Sequence, residues 1–273
     1  MIRVFARKTK MTPTDDLAFY DGPPLYELPD LPVYVSVTFT WDLQKGINLF
    51  REWQHSFPGK TWIGGPGILN ADRPNEFVPG RFLKQGITIT SRGCPKNCPY
   101  CLVPQREGKL QELKVQPGHI IQDNNLLACS QSHIEKVFDM LRQQKRGIIF
   151  SGGLDKDYLN PRHVELLKTI KIAQSGLWVA CDREADLPKL DKVKDLLSDF
   201  PIDKKRCYVL MGFDGDTPEA AIRRCEKIYD KERGFLPFAQ YYQPPTAQRR
   251  IVPKKWRFAV WKWARPAAYR PKK

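Results

Sequence analysis

The stretch SRGCPKNCPYC at residues 91–101 places three cysteines, Cys94, Cys98 and Cys101, in one short loop. Their C-x3-C-x2-C spacing supplies three thiolates to one inorganic centre, whereas a four-iron cluster needs a ligand for each iron. Three protein ligands leave one iron open, which suits a catalytic cluster rather than an electron-transfer cluster. The spacing therefore predicts an iron–sulfur enzyme. Zn²⁺ bound by the same thiolates with His119 or Cys129 is the alternative.

An aromatic residue, Tyr100, directly precedes the last cysteine. With it the loop resembles the signature of the radical S-adenosylmethionine superfamily, nearest to the branch that often carries a cobalamin-binding domain upstream. The resemblance implies that S-adenosylmethionine chelates the open iron through its amino and carboxylate groups. It also implies that reduction cleaves this cofactor to a 5′-deoxyadenosyl radical that abstracts hydrogen from a substrate. We expect Arg92, Lys96 and backbone N–H groups to temper the negative potential of the thiolates.

The composition is that of a globular chain with a basic excess. Its 273 residues are 41% hydrophobic and 27% charged, with a formal net charge of +15, and such a chain can bury a sizeable core. The opening MIRVFARKTK lacks the apolar core of a signal peptide, and no stretch approaches the ~20 apolar residues of a membrane-spanning helix. Seven cysteines with three clustered do not match a secreted disulfide framework. We therefore expect a cytoplasmic protein without membrane association.

The C-terminal segment, residues 248–273, holds most of the basic excess. It contains ten Lys or Arg and no Asp or Glu, which leaves +5 for the rest of the chain. Aromatic residues are interleaved with these charges: Trp256, Phe258, Trp261, Trp263 and Tyr269. A basic strip with aromatic faces predicts contact with nucleic acid, and a solvated tail that aids solubility is the alternative. The i, i+4, i+7 spacing of Trp256, Val260 and Trp263 also predicts a helix docked on a core.

The N-terminal part predicts a small Rossmann-like βαβ unit after an irregular lead-in. Residues 1–30 are rich in Pro, Asp and Gly and predict irregular structure. Residues 33–40 and 61–63 predict strands, with a helix capped by Asp42 between them. The unit resembles a shortened cobalamin domain, but the family's cobalt ligand, a histidine in an Asp-x-His-x-x-Gly loop, has no counterpart here. We expect residues 1–84 to hold a vestigial domain without cobalamin.

From residue 86 onward, strands and helices alternate. Six segments have the content of strands, at residues 87–90, 119–122, 147–150, 177–180, 207–211 and 235–242. The intervening segments predict helices, for example one capped by Ser132 and one over residues 217–233, whereas residues 102–118 predict an extended loop. This alternation predicts an α/β fold with a parallel sheet. The resemblance implies an open six-stranded parallel (β/α)6 partial TIM barrel over residues 85–247.

Polar clusters follow the predicted strands, and reactive groups of parallel α/β folds gather at the carboxyl ends of strands. The resemblance implies that one cluster binds the amino group of S-adenosylmethionine. Two clusters are candidates. The order of strands along the chain points to Asp123, Asn124 and Asn125, whereas similarity to the family's sequence motif points to Ser151, Gly152 and Gly153. The order of elements favours the first of them.

Two further strand ends are candidates for the rest of the cofactor. Asp182, Arg183 and Glu184 follow the fourth strand and are candidates for the ribose or the methionine carboxylate, since arginine pairs directionally with carboxylate. Met211 lies in the segment 209–212, which resembles the family's adenine-packing strand. For each of these residues, an ordinary exposed loop position is the alternative. The remaining cysteines are too widely spread for a second cluster, although Cys181 is expected near the barrel mouth.

The expected function is reductive cleavage of S-adenosylmethionine at a [4Fe-4S] cluster, with electrons from an external donor. The basic aromatic segment favours a nucleic acid, nucleotide or nucleoside as substrate. A small molecule or peptide is the enzymatic alternative. A zinc- or cluster-stabilised nucleic-acid-binding protein without radical chemistry is the alternative from another class.

Overall fold

The structure is a computed structural model in which two compact units are resolved. It describes residues 1–68, 77–230, 234–244 and 251–269. The first unit contains the described residues up to Ile87 together with Pro244, and the second contains those of Thr88–Gln243 and those from Ile251 onward. None of the helices within the described ranges is long and apolar enough to cross a membrane.

The basic C-terminal segment is part of the second unit. Residues 251–269 group with that unit, whereas residues 248–250 and 270–273 lie outside the described ranges. The division between the units falls after Ile87, close to the predicted boundary at residue 84.

The first unit is a parallel sheet with one long helix. Its elements are β1 (Ile2–Phe5), β2 (Ala18–Phe19), β3 (Val33–Ser36), α1 (Leu43–Ser56) and β4 (Thr61–Gly64). The strand order is β2-β1-β3-β4, and every pairing is parallel. Leu49 and Trp53 of α1 share an apolar core with Ile2, Val4 and Val35 of the sheet.

The prediction of irregular structure for residues 1–30 is wrong, because β1 and β2 lie there. Ile2 and Val4 alternate with Arg3, whose side chain bonds to Asp15, but a strand of four residues gives only a short pattern. Pairing with β3 buries Ile2 and Val4 completely. A long-range pairing of this kind overrides a weak local pattern.

Asp42 does not cap α1 with its side chain. Its two carboxylate oxygens instead accept hydrogen bonds from Nε and Nη2 of Arg7, at 2.7 and 2.6 Å. The glycines after β4 have a packing role: a Cβ on Gly65 would lie 2.6 Å from the carbonyl oxygen of Val37, and one on Gly67 would lie 2.7 Å from that of Phe39. Close backbone contact therefore accounts for both glycines.

The second unit contains eight strands in the described residues. They are β5 (Ile87–Thr88), β6 (Ser91–Arg92), β7 (Gln111–Glu112), β8 (Ile120–Ile121), β9 (Ile149–Phe150), β10 (Leu177–Ala180), β11 (Lys205–Met211) and β12 (Leu236–Tyr241). The strand orders are β5-β8-β9 and β10-β11-β12, with β6 and β7 as an antiparallel pair. The β8–β9, β10–β11 and β11–β12 pairings are parallel.

The two three-stranded sheets adjoin at β9 and β10. The N–H of Phe150 donates to the carbonyl oxygen of Gly176 at 2.7 Å, and the N–H of Leu154 donates to that of Trp178 at 2.6 Å. The six strands thus follow one another in space in chain order. Closure into a six-stranded barrel stays a prediction, since the pairings define two separate sheets.

The helices of the second unit are α2 (Val103–Glu107), α3 (Gln131–Arg142), α4 (Pro161–Lys168), α5 (Leu187–Leu196), α6 (Pro218–Ile228), α7 (Lys254–Ala264) and α8 (Pro266–Tyr269). Side-chain oxygens of Ser130, Asn160 and Thr217 cap α3, α4 and α6. The expected cap at Ser132 is therefore two residues too late. The predicted helix 217–233 ends at Ile228, and its residues 231–233 lie outside the described ranges.

The prediction of a wholly extended loop for residues 102–118 is wrong. The segment forms α2 and then β7, which pairs with β6. A five-residue helix is too short to show an apolar period, and Gly108 ends it with a φ of +69°. Antiparallel pairing with β6 then brings the chain back along the start of the cysteine loop.

The C-terminal helix α7 packs its apolar side on β12. Trp256, Ala259 and Trp263 are buried, and the rings of Trp256 and Tyr241 lie 5.6 Å apart. The hydroxyl of Tyr269 donates to the carbonyl oxygen of Pro237 at 2.9 Å. The predicted helix docked on a core is therefore present.

Candidate functional site

The cysteine loop, residues 93–101, follows β6 and is fixed at its first residue. Gly93 has a φ of +78°, and a Cβ there would lie 2.1 Å from the carbonyl oxygen of Lys109. Its N–H donates to Oδ1 of Asn124 at 3.0 Å. Only glycine satisfies both the conformation and the close approach, so the loop can leave the strand in one direction only.

The three thiols of the loop are half-buried and near one another. Burial raises the pKa of Cys101, and the negative charges of Cys98 and Cys94 raise it further. The N–H of Cys101 donates to the carbonyl oxygen of Cys98 at 2.9 Å, which closes a turn between them. The effect of Cys98 and Cys94 on the pKa of Cys101 shows that the three sulfurs of the loop influence one another.

Hydrogen-bond donors are directed at two of these sulfurs. Sγ of Cys94 lies 3.4 Å from Nδ2 of Asn125 and 3.5 Å from the backbone nitrogen of Lys96. The thiol of Cys101 accepts from the backbone N–H of Val103. Such donors stabilise thiolates and tune the reduction potential of a cluster that the thiolates hold.

The charged end of Lys96 is bonded elsewhere. Its Nζ lies 3.0 Å from Oδ1 of Asp155 and also bonds to Asp157, which in turn pairs with Lys189 at 2.7 Å. Partial burial alone would lower the pKa of Lys96, but these hydrogen bonds outweigh it and raise the pKa. Lys96 contacts Cys94 through its backbone N–H, as expected of a backbone donor, whereas its ammonium group pairs with the two aspartates.

Asp123 ties the end of β8 to the segment before the cysteine loop. Its carboxylate accepts from the N–H of Thr90 at 2.6 Å, from the Thr90 hydroxyl, and from the hydroxyl of Ser91 at 2.9 Å. Burial raises the pKa of Asp123, against the effect of these hydrogen bonds. Asp123 is therefore a buried structural residue here, and binding of cofactor by it stays a prediction.

Asn125 is the member of this cluster that faces the thiols. It is 2% exposed, and its Nδ2 donates both to Cys94 and, at 2.8 Å, to Oδ2 of Asp155. A carboxylate only accepts hydrogen bonds, which fixes the orientation of the amide. Its Oδ1 is buried and has no hydrogen-bond partner among the described residues. A buried acceptor without a donor points to a ligand group that supplies one.

The two alternative clusters lie side by side. A Cβ on Gly152 would lie 1.9 Å from the carbonyl oxygen of Asp123, and the N–H of Gly152 donates to the carbonyl oxygen of Ile121 at 3.2 Å. Ser151 donates to the same oxygen at 3.1 Å, and Gly153 has a φ of +94°. The glycines therefore let the ends of β8 and β9 pass in contact.

Tyr100 and Asp182 link the cysteine loop to the end of β10. The hydroxyl of Tyr100 bonds to the carboxylate of Asp182, and burial followed by the charges of Asp182 and Cys98 raises the pKa of Tyr100. Oδ1 of Asp182 also accepts from the N–H of Leu210 at 2.9 Å. The ring of Tyr100 meets Phe213 edge to face, with centroids 5.5 Å apart.

The other predicted contacts lie at the surface or in the core. Arg183 is exposed, and Glu184 pairs with Lys227 at 2.6 Å. Met211 is fully buried in the hydrophobic core. Cys181 is also fully buried rather than open at a barrel mouth, and burial raises its pKa to about 12.

Sequence reasoning missed Asp155 and Asp157, which follow β9 and hold Lys96. It also missed the side of β11 formed by Arg206 and Tyr208, where Tyr208 stacks on Trp178 with centroids 4.4 Å apart. The hydroxyl of Tyr208 donates to the carbonyl oxygen of Ser151 at 3.0 Å. The period-two alternation along residues 205–211 was the available signal, since it separates these side chains from the buried Cys207 and Val209.

No group of three or more His, Cys, Asp or Glu side chains that could hold a metal ion is found among the described residues. The iron–sulfur cluster and the zinc alternative both stay predictions. No protein-family model matches the sequence, and a search of curated proteins finds no match.

Proposed function

We propose that this chain is an iron–sulfur enzyme of the radical S-adenosylmethionine type. Cys94, Cys98 and Cys101 hold a [4Fe-4S] cluster and leave its fourth iron for S-adenosylmethionine. When bound, the cluster supplies the electron that cleaves this cofactor to methionine and a 5′-deoxyadenosyl radical. The proposal is supported by three half-buried thiols in one loop, with N–H donors directed at the sulfurs of Cys94 and Cys101.

The observation that carries the proposal is the buried, unpartnered Oδ1 of Asn125. The side chain already donates to Cys94 through Nδ2, so its free acceptor lies beside a cluster ligand. An ammonium group has only donors to offer, and it satisfies such an acceptor. Asn125 therefore accepts a hydrogen bond from the amino group of S-adenosylmethionine. This agrees with the cluster that the order of strands along the chain favours.

The residues around the loop hold it in a fixed shape. Lys96 fastens the middle of the loop to Asp155, and Tyr100 fastens its end to Asp182. Because these side chains are held by charged partners, the sulfurs are positioned before any ligand arrives. A preorganised donor set loses little conformational entropy on binding.

The electrons come from an external donor, and the enzyme works without cobalamin, since the sequence lacks the Asp-x-His-x-x-Gly loop. We place its substrate first among nucleic acids, nucleotides and nucleosides, because of the basic aromatic segment. A small molecule or a peptide is the second candidate.

Anaerobic reconstitution with iron and sulfide tests the proposal. The expected result is a brown protein that forms 5′-deoxyadenosine from S-adenosylmethionine under a strong reductant. Cys94→Ala, Cys98→Ala and Cys101→Ala should each lose iron and this activity, whereas Cys129→Ala should keep both. Tightly bound zinc without cleavage of S-adenosylmethionine would overturn the proposal in favour of a zinc-stabilised binding protein.

A further inference from the structure

The outer face of α7 is a continuous exposed stripe of cations and aromatic rings. Lys254, Arg257, Phe258 and Trp261 follow one another at helical spacing, and the exposed Arg265 directly follows the end of the helix. Residues three and four positions apart are neighbours on a helix surface. Phe258 is 63% exposed and Trp261 is 58% exposed, and their ring centroids lie 6.4 Å apart.

The fold does not account for these two rings. Trp256, Ala259 and Trp263 already supply the apolar contact with the second unit. Neighbouring large aromatic side chains that remain exposed beside a satisfied apolar face indicate an interaction surface. Of the five aromatics in the segment, Phe258 and Trp261 are the two with exposed rings.

The charges of the stripe point to a polyanion. Lys254, Arg257 and Arg265 form no ion pair with an acidic side chain of the described ranges, and residues 244–273 contain no Asp or Glu at all. The guanidinium of Arg257 is oriented by a 3.3 Å hydrogen bond from Nε to the carbonyl oxygen of Val252. The cations therefore keep donors free for phosphate groups.

We propose that the outer face of α7 binds single-stranded nucleic acid, with bases stacked on Phe258 and Trp261 and phosphates bound by Lys254, Arg257 and Arg265. The two neighbouring rings have cations before and after them, so stacked bases on the rings would have their phosphates within reach of the flanking side chains. Single strands are favoured because paired bases keep their faces stacked within the duplex. The inference deepens the substrate class of the proposed function, which rests on the same segment, but it does not depend on the cysteine loop: loss of oligonucleotide binding would leave the cleavage of S-adenosylmethionine untouched.

A membrane surface fits less well. A helix that lies in a bilayer interface inserts its whole apolar face, and in α7 that face is packed against β12. Two rings bracketed by cations offer little area for insertion. Binding to lipid is nevertheless the outcome that the experiment must separate.

The test uses the full chain and fluorescein-labelled oligothymidine and mixed-sequence RNA of about 20 nucleotides, long enough to span the stripe. The anisotropy titration starts at about 50 mM salt, where electrostatic binding is strong. Phe258→Ala/Trp261→Ala should weaken binding by about tenfold or more. Phe258→Tyr/Trp261→Phe keeps two stacking faces and should bind within about threefold of wild type. Tyr26→Ala removes an exposed ring elsewhere and should change nothing.

The contribution of the cations is measured separately, from the salt dependence of oligonucleotide binding. For single strands, the slope of log K against log salt concentration falls in magnitude by about 0.7 for each phosphate that is no longer bound. Lys254→Gln/Arg257→Gln should therefore reduce the slope by about 1.4, whereas Lys145→Gln/Arg146→Gln, with the same change in net charge, should leave it unchanged. If the two double substitutions weakened oligonucleotide binding equally, the assignment of the site to α7 would be overturned.

Three other results would overturn the proposal. These are absence of oligonucleotide binding at low salt, wild-type affinity in Phe258→Ala/Trp261→Ala, and binding of anionic phosphatidylserine vesicles but not of oligonucleotides. Circular dichroism melts confirm folding of each variant. Because both rings are exposed, the Ala variants should melt at the wild-type temperature.

Discussion

Nδ2 of Asn125 lies 3.4 Å from Sγ of Cys94, so the residue that follows the end of β8 reaches into the cysteine loop. The same nitrogen bonds to Asp155 after β9. One buried amide therefore connects two strand ends to a proposed cluster ligand. Its effects should be visible both in the cluster and in the stability of the loop.

Asn125→Ala should lower the midpoint potential of the reconstituted cluster. A donor to a ligand sulfur favours the reduced, more negative state, and its loss is worth about 1.4 kcal/mol, or about 60 mV for one electron. Potentiometric titration followed by electron paramagnetic resonance measures the change. Asn48→Ala, an exposed amide in the first unit, is the control. An unshifted potential with an intact cluster would contradict this role of Asn125.

Lys96→Met should destabilise the protein before any cluster is loaded. The substitution keeps the length of the side chain but leaves Asp155 without an ammonium partner and Asp157 with Lys189 alone, at a cost of about 1–3 kcal/mol in unfolding free energy. Urea denaturation of the apo-protein measures it. Lys96→Arg should recover most of the loss, and Lys168→Met, at a surface ion pair, should change little. Equal stability of Lys96→Met and wild type would refute the fastening role.

Asp157 should make stability fall in acid. Burial would raise its pKa, but hydrogen bonds from Lys189 and Lys96 lower the pKa to about 2. Because the folded pKa lies below the unfolded one, the stabilisation is complete above about pH 4 and is lost as the pH falls toward 2.

Asp157→Asn removes this dependence. Its unfolding free energy should be lower than that of wild type by about 1–2 kcal/mol at neutral pH and nearly equal to it at about pH 2. Denaturation curves recorded across this range show whether the two converge. A constant difference at every pH would mean that ionisation of Asp157 contributes nothing.

Gly93→Ala should disrupt the cysteine loop more than its backbone angle alone requires. Gly108 provides the matched control, because it also has positive φ but a Cβ there would meet nothing within 4 Å. Gly108→Ala should cost about 1 kcal/mol of strain. Gly93→Ala adds the collision with Lys109 and should cost at least about 2 kcal/mol more, with loss of iron after reconstitution. Similar melting temperatures for the two variants would refute the collision.

The longer strands of the second unit were predictable because each has a local signal, whereas the two-residue β6 and β7 have none. Residues 177–180 are all apolar, and the strand has those bounds. β1 was not predicted, because its four residues are too few for a clear pattern and pairing with β3 stabilises it. Short elements such as α2 carry no period to detect.

The three cysteines stood out in the sequence because the chemistry predicted for them depends on spacing, and their role as cluster ligands stays a prediction. Asp155 was not, because its partners Lys96 and Asn125 are distant in sequence and an aspartate after a strand is usually an exposed loop residue. The burial of Cys181 and Met211 was equally invisible, since strand ends alone do not tell which side chains turn into the core. Side-chain partners are set by tertiary packing, which one sequence does not display.

Asp155 receives Lys96 from the cysteine loop and Asn125 from the end of β8, and itself follows β9. These three segments adopt their final arrangement only once the neighbouring strands have paired. If the proposed cluster is loaded, its assembly would therefore have an order: the chain would fold first, and iron and sulfide would be delivered afterwards to a loop that already has its shape. A cell that lacks iron would accumulate a folded precursor rather than an unfolded chain.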